Sequence, residues 1–118
     1  MEDGFIGSGE TGRTTAHITN ALDDRYYDLE QLHGKEGARI AADSHTAAIN
    51  LVESIVNEEK IDCDFERLDG FLFLDPSDNR KSLEDELEGI VGTELLERAP
   101  PESFDTGPCI RFPRQATP

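Results

Sequence analysis

The residues best placed to do chemistry are gathered in one stretch, Gly7-Ser8-Gly9-Glu10-Thr11-Gly12-Arg13-Thr14-Thr15-Ala16-His17. Three glycines within six positions let a backbone turn sharply and approach a ligand closely. Ser8, Thr11, Thr14 and Thr15 add hydroxyl donors, and Arg13 adds a fixed cationic fork suited to phosphate or carboxylate oxygens. If the segment after the loop is helical, its first free N–H groups point at the same negative charge. The chemistry implied is the holding of an anion. Gly7-x-Gly9-x-x-Gly12 also has the spacing of the dinucleotide fingerprint, but that pattern requires a preceding buried strand, and only Met1 to Ile6 come before it here.

Other clusters give weaker signals. Asp62, Asp64 and Glu66 alternate, which in an extended segment puts three carboxylates on one face. Without a calcium-loop glycine or a histidine partner, a half-solvated strand entry explains them better than a metal. Cys63 lies between two aspartates, whose charges oppose thiolate formation, and Cys109 follows Pro108 with no histidine nearby. Neither cysteine has the spacing of a zinc or Rieske site, so no metal ligands are expected. His45 is expected as a hydrogen-bonded core residue.

The loop belongs to a longer resemblance. Residues Glu2 to His17, together with Ile61-Asp62-Cys63-Asp64-Phe65-Glu66-Arg67-Leu68-Asp69-Gly70-Phe71-Leu72-Phe73-Leu74 and Phe104-Asp105-Thr106-Gly107-Pro108-Cys109-Ile110-Arg111-Phe112-Pro113, resemble segments of FAD-dependent oxidoreductases of the glycine/D-amino-acid oxidase family. The resemblance is to a bacterial branch often fused to a Rieske iron–sulfur domain. It implies a partial FAD-binding, Rossmann-like α/β domain over 1–118, with Glu2 on the adenosine ribose and Ser8, Gly9, Arg13, Thr14 and Thr15 at the cofactor. It implies hydride transfer from a small substrate to flavin; no catalytic residue is named. Any Rieske 2Fe-2S cluster would belong to a domain outside these residues. The ribose acid follows the glycine fingerprint by about 20 residues in such domains, so the chain reads as an internal fragment, expected to be inactive alone. The alternative is a non-enzymatic acidic helical module that docks on a partner.

The composition narrows the partners. Asp and Glu number 26 against 11 Lys and Arg, a formal net charge of −15 in 118 residues. That balance repels nucleic-acid phosphates and anionic membranes. Two distant cysteines, with no signal peptide and no apolar run of spanning length, suit the cytoplasm.

The elements that must position the loop follow from periodicity. Arg13 to Leu22 predicts a first helix, and Arg25 to Leu32 a second short one, with Tyr26, Leu29 and Leu32 facing the core; His33-Gly34 breaks the run. The longest signal spans Lys35 to Glu59, with Ala38, Ala41, His45, Ala48, Val52 and Ile55 on one stripe, widened by Ala42, Ile49 and Val56. Phe71 to Leu74 predicts a buried strand, and Asp69-Gly70 reads either as a hairpin turn between two short strands or, as the resemblance favours, as part of one strand over Phe65 to Leu74 with Gly70 inside it. Ser82-Leu83-Glu84-Asp85 predicts a capping box opening a helix to about Val91, Leu95-Leu96 a brief strand, and Cys109 to Phe112 an edge strand ended by Pro113. The fold expected is α/β, helix-rich first and with short strands in the second half.

Overall fold

The computed structural model describes residues 4–5, 7–15, 17–23, 25–75, 77, 79–88, 92–100 and 105–117. After a 3-10 turn at Thr11–Arg13, helix α1 runs Tyr26–Glu58, strand β1 Glu66–Phe73, helix α2 Arg80–Glu88, strand β2 Glu94–Leu96 and strand β3 Cys109–Thr117. The three strands form one antiparallel sheet in the order β1-β3-β2.

Helix α1 is two helical pieces joined at Gly34, whose φ of 73° and ψ of 170° are non-helical. That conformation is close to glycine-only, so the break predicted at His33-Gly34 stands where the sequence has its one cheap solution. No side chain caps the helix from Arg25. Glu86, 1 % exposed, reaches across from α2 and accepts a hydrogen bond from Tyr27 N at 3.0 Å. A carboxylate at a helix N-terminus satisfies one of its unpaired N–H groups and opposes the positive end of its dipole. The cap is thus tertiary, and it locks the two helices together.

The core forms where α1, α2 and the sheet meet, around Tyr26, Ala38, Leu83, Ile110 and Phe112. The buried line of α1 is Ala38 and Ile49, with Ala41, Ala42, Glu53 and Val56 half-buried. This face is rotated from the predicted stripe: His45 and Ala48 are exposed, as are Val52 and Ile55, so His45 is a surface residue. Arg67 of β1 explains the rotation. It donates to Asn50 Oδ1 at 2.8 Å and to Glu53 Oε2 at 2.7 Å, drawing the polar flank of α1 over the sheet. Leu32, expected in the core beside Tyr26 and Leu29, is also exposed.

Three further expectations are corrected. Arg13 to Leu22 is not a helix: after the 3-10 turn, Thr14 is extended and Ile18 forms an antiparallel bridge to Ala116, with both N–H···O bonds at 2.9 Å. The β-branched Thr14, Thr15, Ile18 and Thr19 favour extension, and β3 supplies the partners a helix would have supplied internally. Helix α2 starts at Arg80, two residues before the predicted capping box, and Ser82 N donates to Asn79 O at 3.0 Å inside its first turn; its expected end at Val91 lies outside the described residues. Strand β3 is central and continues through Pro113. A bulge makes this possible: Leu68 pairs with Gln115 and Gly70 with Phe112, so Pro113 and Arg114 together face Asp69 alone. The proline's missing donor falls where the ladder is already interrupted. Arg114 takes a φ of 59°, and its N–H goes to Asp69 Oδ1 at 3.3 Å. Strand β1, with Gly70 inside it, and the brief strand at Leu95-Leu96 are found as expected.

Candidate functional site

The glycine loop folds back on itself by short backbone bonds. Ser8 N donates to Phe5 O and Arg13 N to Glu10 O, both at 2.9 Å. Gly7 and Gly9 have φ values of 80° and 77°, and a Cβ at either would meet nothing within 4 Å. A ligand edge can therefore reach the loop backbone there without displacing protein atoms. Ser8, Gly9, Arg13, Thr14 and Thr15 all lie on this one exposed loop, so the structure brings five of the six cofactor candidates together. Glu2, the sixth, lies outside the described residues.

Arg13 pairs with Glu10 at 3.2 Å, and the two side chains are 74 % and 86 % exposed. A solvated pair of this kind contributes about 0–1 kcal/mol, so the guanidinium can change partner at little cost. Among the described residues no α-helix opens at the loop's exit, where Thr14 is extended, so the donors the loop offers are hydroxyls, turn N–H groups and Arg13.

What holds the loop in place was missed by the sequence reading. Gln115, fully buried on β3, accepts from Thr19 Oγ1 and Asn20 N through its Oε1, both at 2.7 Å, and donates from Nε2 to Pro113 O at 2.9 Å. Asn20 then donates to Thr46 Oγ1 on α1 at 2.9 Å, and its carbonyl accepts from the Tyr26 hydroxyl at 2.6 Å. The segment leaving the loop is thereby tied to the sheet and to α1 at Tyr26 and Thr46. Burial, and secondarily the negative Glu86, push the Tyr26 phenol up to about 12. The signal available in the sequence was the amide and hydroxyl run Thr19-Asn20; Gln115 carries no local signature.

Two clefts flank this anchored segment. One, of about 280 Å³, is lined by His17, Thr19, Asp23, Gly70, Phe71 and Phe112 among others. The other, of about 210 Å³, lies among Asn20, Asn50, Arg67, Phe112 and Arg114. Among the described residues no group of three or more His, Cys, Asp or Glu side chains could hold a metal. Cys63 is exposed and Cys109 buried, and burial raises the Cys109 thiol above its ordinary pKa. A Rieske centre needs two cysteines and two histidines around one cluster, and the residues here do not fit it.

One comparison with known proteins is informative. The chain is 32 % identical over 73 residues to YhfW of Bacillus subtilis (strain 168), named provisionally as a Rieske 2Fe-2S iron-sulfur protein. The match takes in 62 % of this chain and 14 % of that protein. The chain is therefore similar to a limited part of a Rieske iron–sulfur protein, a class of redox proteins. No family model matches the chain, and no solved structure matches it. Among the described residues no helix is long and apolar enough to cross a membrane.

Proposed function

We propose that this chain is a flavin-binding portion of an oxidoreductase of the glycine/D-amino-acid oxidase type, within a longer Rieske-linked redox protein. The observation that carries the reading is the open backbone at Gly7 and Gly9, set among Ser8, Arg13, Thr14 and Thr15 and anchored by Gln115. Similarity to part of a Rieske protein supports a redox role, and the resemblance of Glu2 to His17 to a flavin-contacting segment supports FAD as the cofactor. The residues fit such a group in kind: hydroxyl and N–H donors with one exchangeable cation suit pyrophosphate or flavin oxygens. When bound, FAD would supply the hydride acceptor for a small substrate. The protein's share is placement: Gln115 fixes Thr19 and Asn20, these fix the loop's exit, and Arg13 offers its charge to the cofactor. A partial Rossmann-like fold belongs to the same proposal; its sheet is mostly parallel, so the three antiparallel strands here would lie outside that sheet.

The test is flavin retention by the complete reading frame. The preparation should carry yellow, flavin-absorbing cofactor, and Arg13→Ala should weaken FAD binding by about one to two decades, the equivalent of a charge-assisted bond of roughly 1.5–3 kcal/mol. A colourless preparation that gains no absorbance on adding FAD would exclude this function.

A second reading has its own observation. Ile40, Leu51 and Ile55 of α1 are exposed, on the side away from the buried Ala38 and Ile49. A helix apolar on two sides suits a module that docks on a partner, and a colourless protein that associates through this side would favour it.

A further inference from the structure

Helix α1 presents a second ordered face to solvent. Opposite the buried Ala38 and Ile49, the residues Ile40, Ser44, Ala47, Ala48, Leu51 and Ile55 recur at helical spacing, and all are exposed. The three large ones, Ile40, Leu51 and Ile55, are 57 %, 60 % and 43 % exposed. This line carries no charge over about four turns, in a chain where 31 % of residues are charged. The outer side of a solvated helix is normally polar and charged, so a neutral line of this length marks a surface with a partner.

The order of side-chain sizes along the line selects that partner. Outward from the Ala47–Ala48 bond the positions mirror one another: alanine on both sides of the centre, Ser44 against Leu51 next, then Ile40 and Ile55 at the two ends. Two copies of α1 laid antiparallel about that centre bring Ile40 level with the partner's Ile55, Ser44 with the partner's Leu51, and Ala47 with the partner's Ala48. Each leucine then lies over a serine, and the alanines let the helix axes approach to about 8 Å, the near limit of helix packing. A two-fold interface requires one patch that is complementary to itself, which this line is.

Charge points the same way. Two copies with a net charge of −15 each repel over most of their surface. Between Ile40 and Ile55 the acids are Asp43 and Glu53, and each is held by an arginine, Asp43 by Arg39 at 3.2 Å and Glu53 by Arg67 at 2.7 Å. Glu36 and Glu58 stand just past the two ends of the line, where Glu36 of one copy comes nearly level with the partner's Glu58. The line is about 22 Å long and buries on the order of 500 Å² per copy, against about 800 Å² in a standard interface, so the pair is reversible.

We propose that α1 is a self-association surface, through which two copies of this chain pair antiparallel along Ile40, Ser44, Ala47, Ala48, Leu51 and Ile55. The pairing supplies an occupant for the face on which the partner-docking reading rests. It holds whether or not the protein binds FAD, a question that flavin absorbance decides separately.

Sedimentation velocity of the full chain from about 10 µM to about 1 mM should show a reversible monomer–dimer equilibrium with a Kd of tens to hundreds of micromolar. Raising NaCl from about 0.05 M to about 0.5 M screens the acids at the ends and should shift the equilibrium several-fold toward dimer. Leu51→Glu, at an exposed position, should weaken association at least tenfold with unchanged circular dichroism. Ile61→Glu, also at an exposed apolar position but off the line, should leave association as it is. Orientation is read by a short bismaleimide cross-linker in a Cys63→Ser background. Ile40→Cys and Ile55→Cys chains should link when mixed, and neither should link to itself, because like positions lie about 22 Å apart in the antiparallel pair. A chain still monomeric at about 1 mM, equal weakening by Leu51→Glu and Ile61→Glu, or self-linking of either cysteine variant alone would overturn the proposal.

Discussion

Replacing Gln115 gives the sharpest test of how the loop is held. The side chain is fully buried and makes three hydrogen bonds, at 2.7, 2.7 and 2.9 Å, to two chain segments nearly a hundred residues apart in sequence. Gln115→Leu keeps the bulk and removes all three. At about 1 kcal/mol net for each bond, with the Asn20 N–H and the Pro113 carbonyl left short of a partner, the loss should be about 3 kcal/mol. For a chain of this size that lowers the melting temperature by roughly 10 °C. Gln115→Glu isolates the components. Its carboxylate still accepts from Thr19 and Asn20, but an oxygen replaces Nε2 opposite the Pro113 carbonyl, and a charge is buried. At pH 7 this variant should be the less stable of the two. Burial raises the new carboxyl's pKa in the folded state, so folding favours the protonated form, and stability should return as the pH falls through that pKa. Urea unfolding at pH 7 and pH 5, with hydrogen exchange at the Asn20 amide, reads both effects. If both variants stay within about 0.5 kcal/mol of the parent and the Asn20 amide exchanges no faster, Gln115 does not anchor the loop.

Three other outcomes follow from the geometry. Glu86→Ala removes the cap on Tyr27 N and should cost about 2 kcal/mol in urea unfolding, while Glu84→Ala, on the exposed side of α2, should cost less than about 0.5 kcal/mol. Gly34→Ala should destabilise by about 1–3 kcal/mol despite alanine's better helix propensity, because φ 73° with ψ 170° admits little but glycine; a raised melting temperature would mean that α1 can run straight through this point. Because the Tyr26 pKa is raised to about 12, the fold favours the neutral phenol. Its contribution should be complete below pH 10, the ordinary value for tyrosine, and lost between there and about pH 12, followed by tyrosinate absorbance alongside circular dichroism.

Much of the helical half was legible because its signals are local. The Lys35 to Glu59 repeat, the break at Gly34 and the apolar run into Leu74 depend on periodicity and on glycine's backbone freedom. The failures share another cause. Ile18 lies in a strand bridge and not in a helix because β3 offers it a backbone partner and Gln115 receives Thr19 and Asn20, and no window around residue 18 contains residue 115. Pro113 signals a strand end only when the ladder is regular, and the bulge opposite Asp69 removes that condition. His45 is on the surface because Arg67 pairs with Glu53 and turns α1 by part of a face. Of the candidate site, the loop was visible from residue types alone, whereas the buried Gln115 and Glu86 and the half-buried Arg67 that organise its surroundings are polar residues whose burial is decided by distant partners.

The central place of β3 bears on the order of assembly. Among the described residues both other strands pair only with it, and so does Ile18. During synthesis, β1 and β2 leave the ribosome before the strand that joins them, and α1 forms while its sheet-facing side is still uncovered. Helix contacts are local and quick, whereas each ladder must close a long loop before it gains anything. Folding is therefore expected to wait on residues 109–117 and then finish in one cooperative step. A ribosome stalled just short of Cys109 would present a helix pair with its apolar side open, the form in which this chain would most need a chaperone.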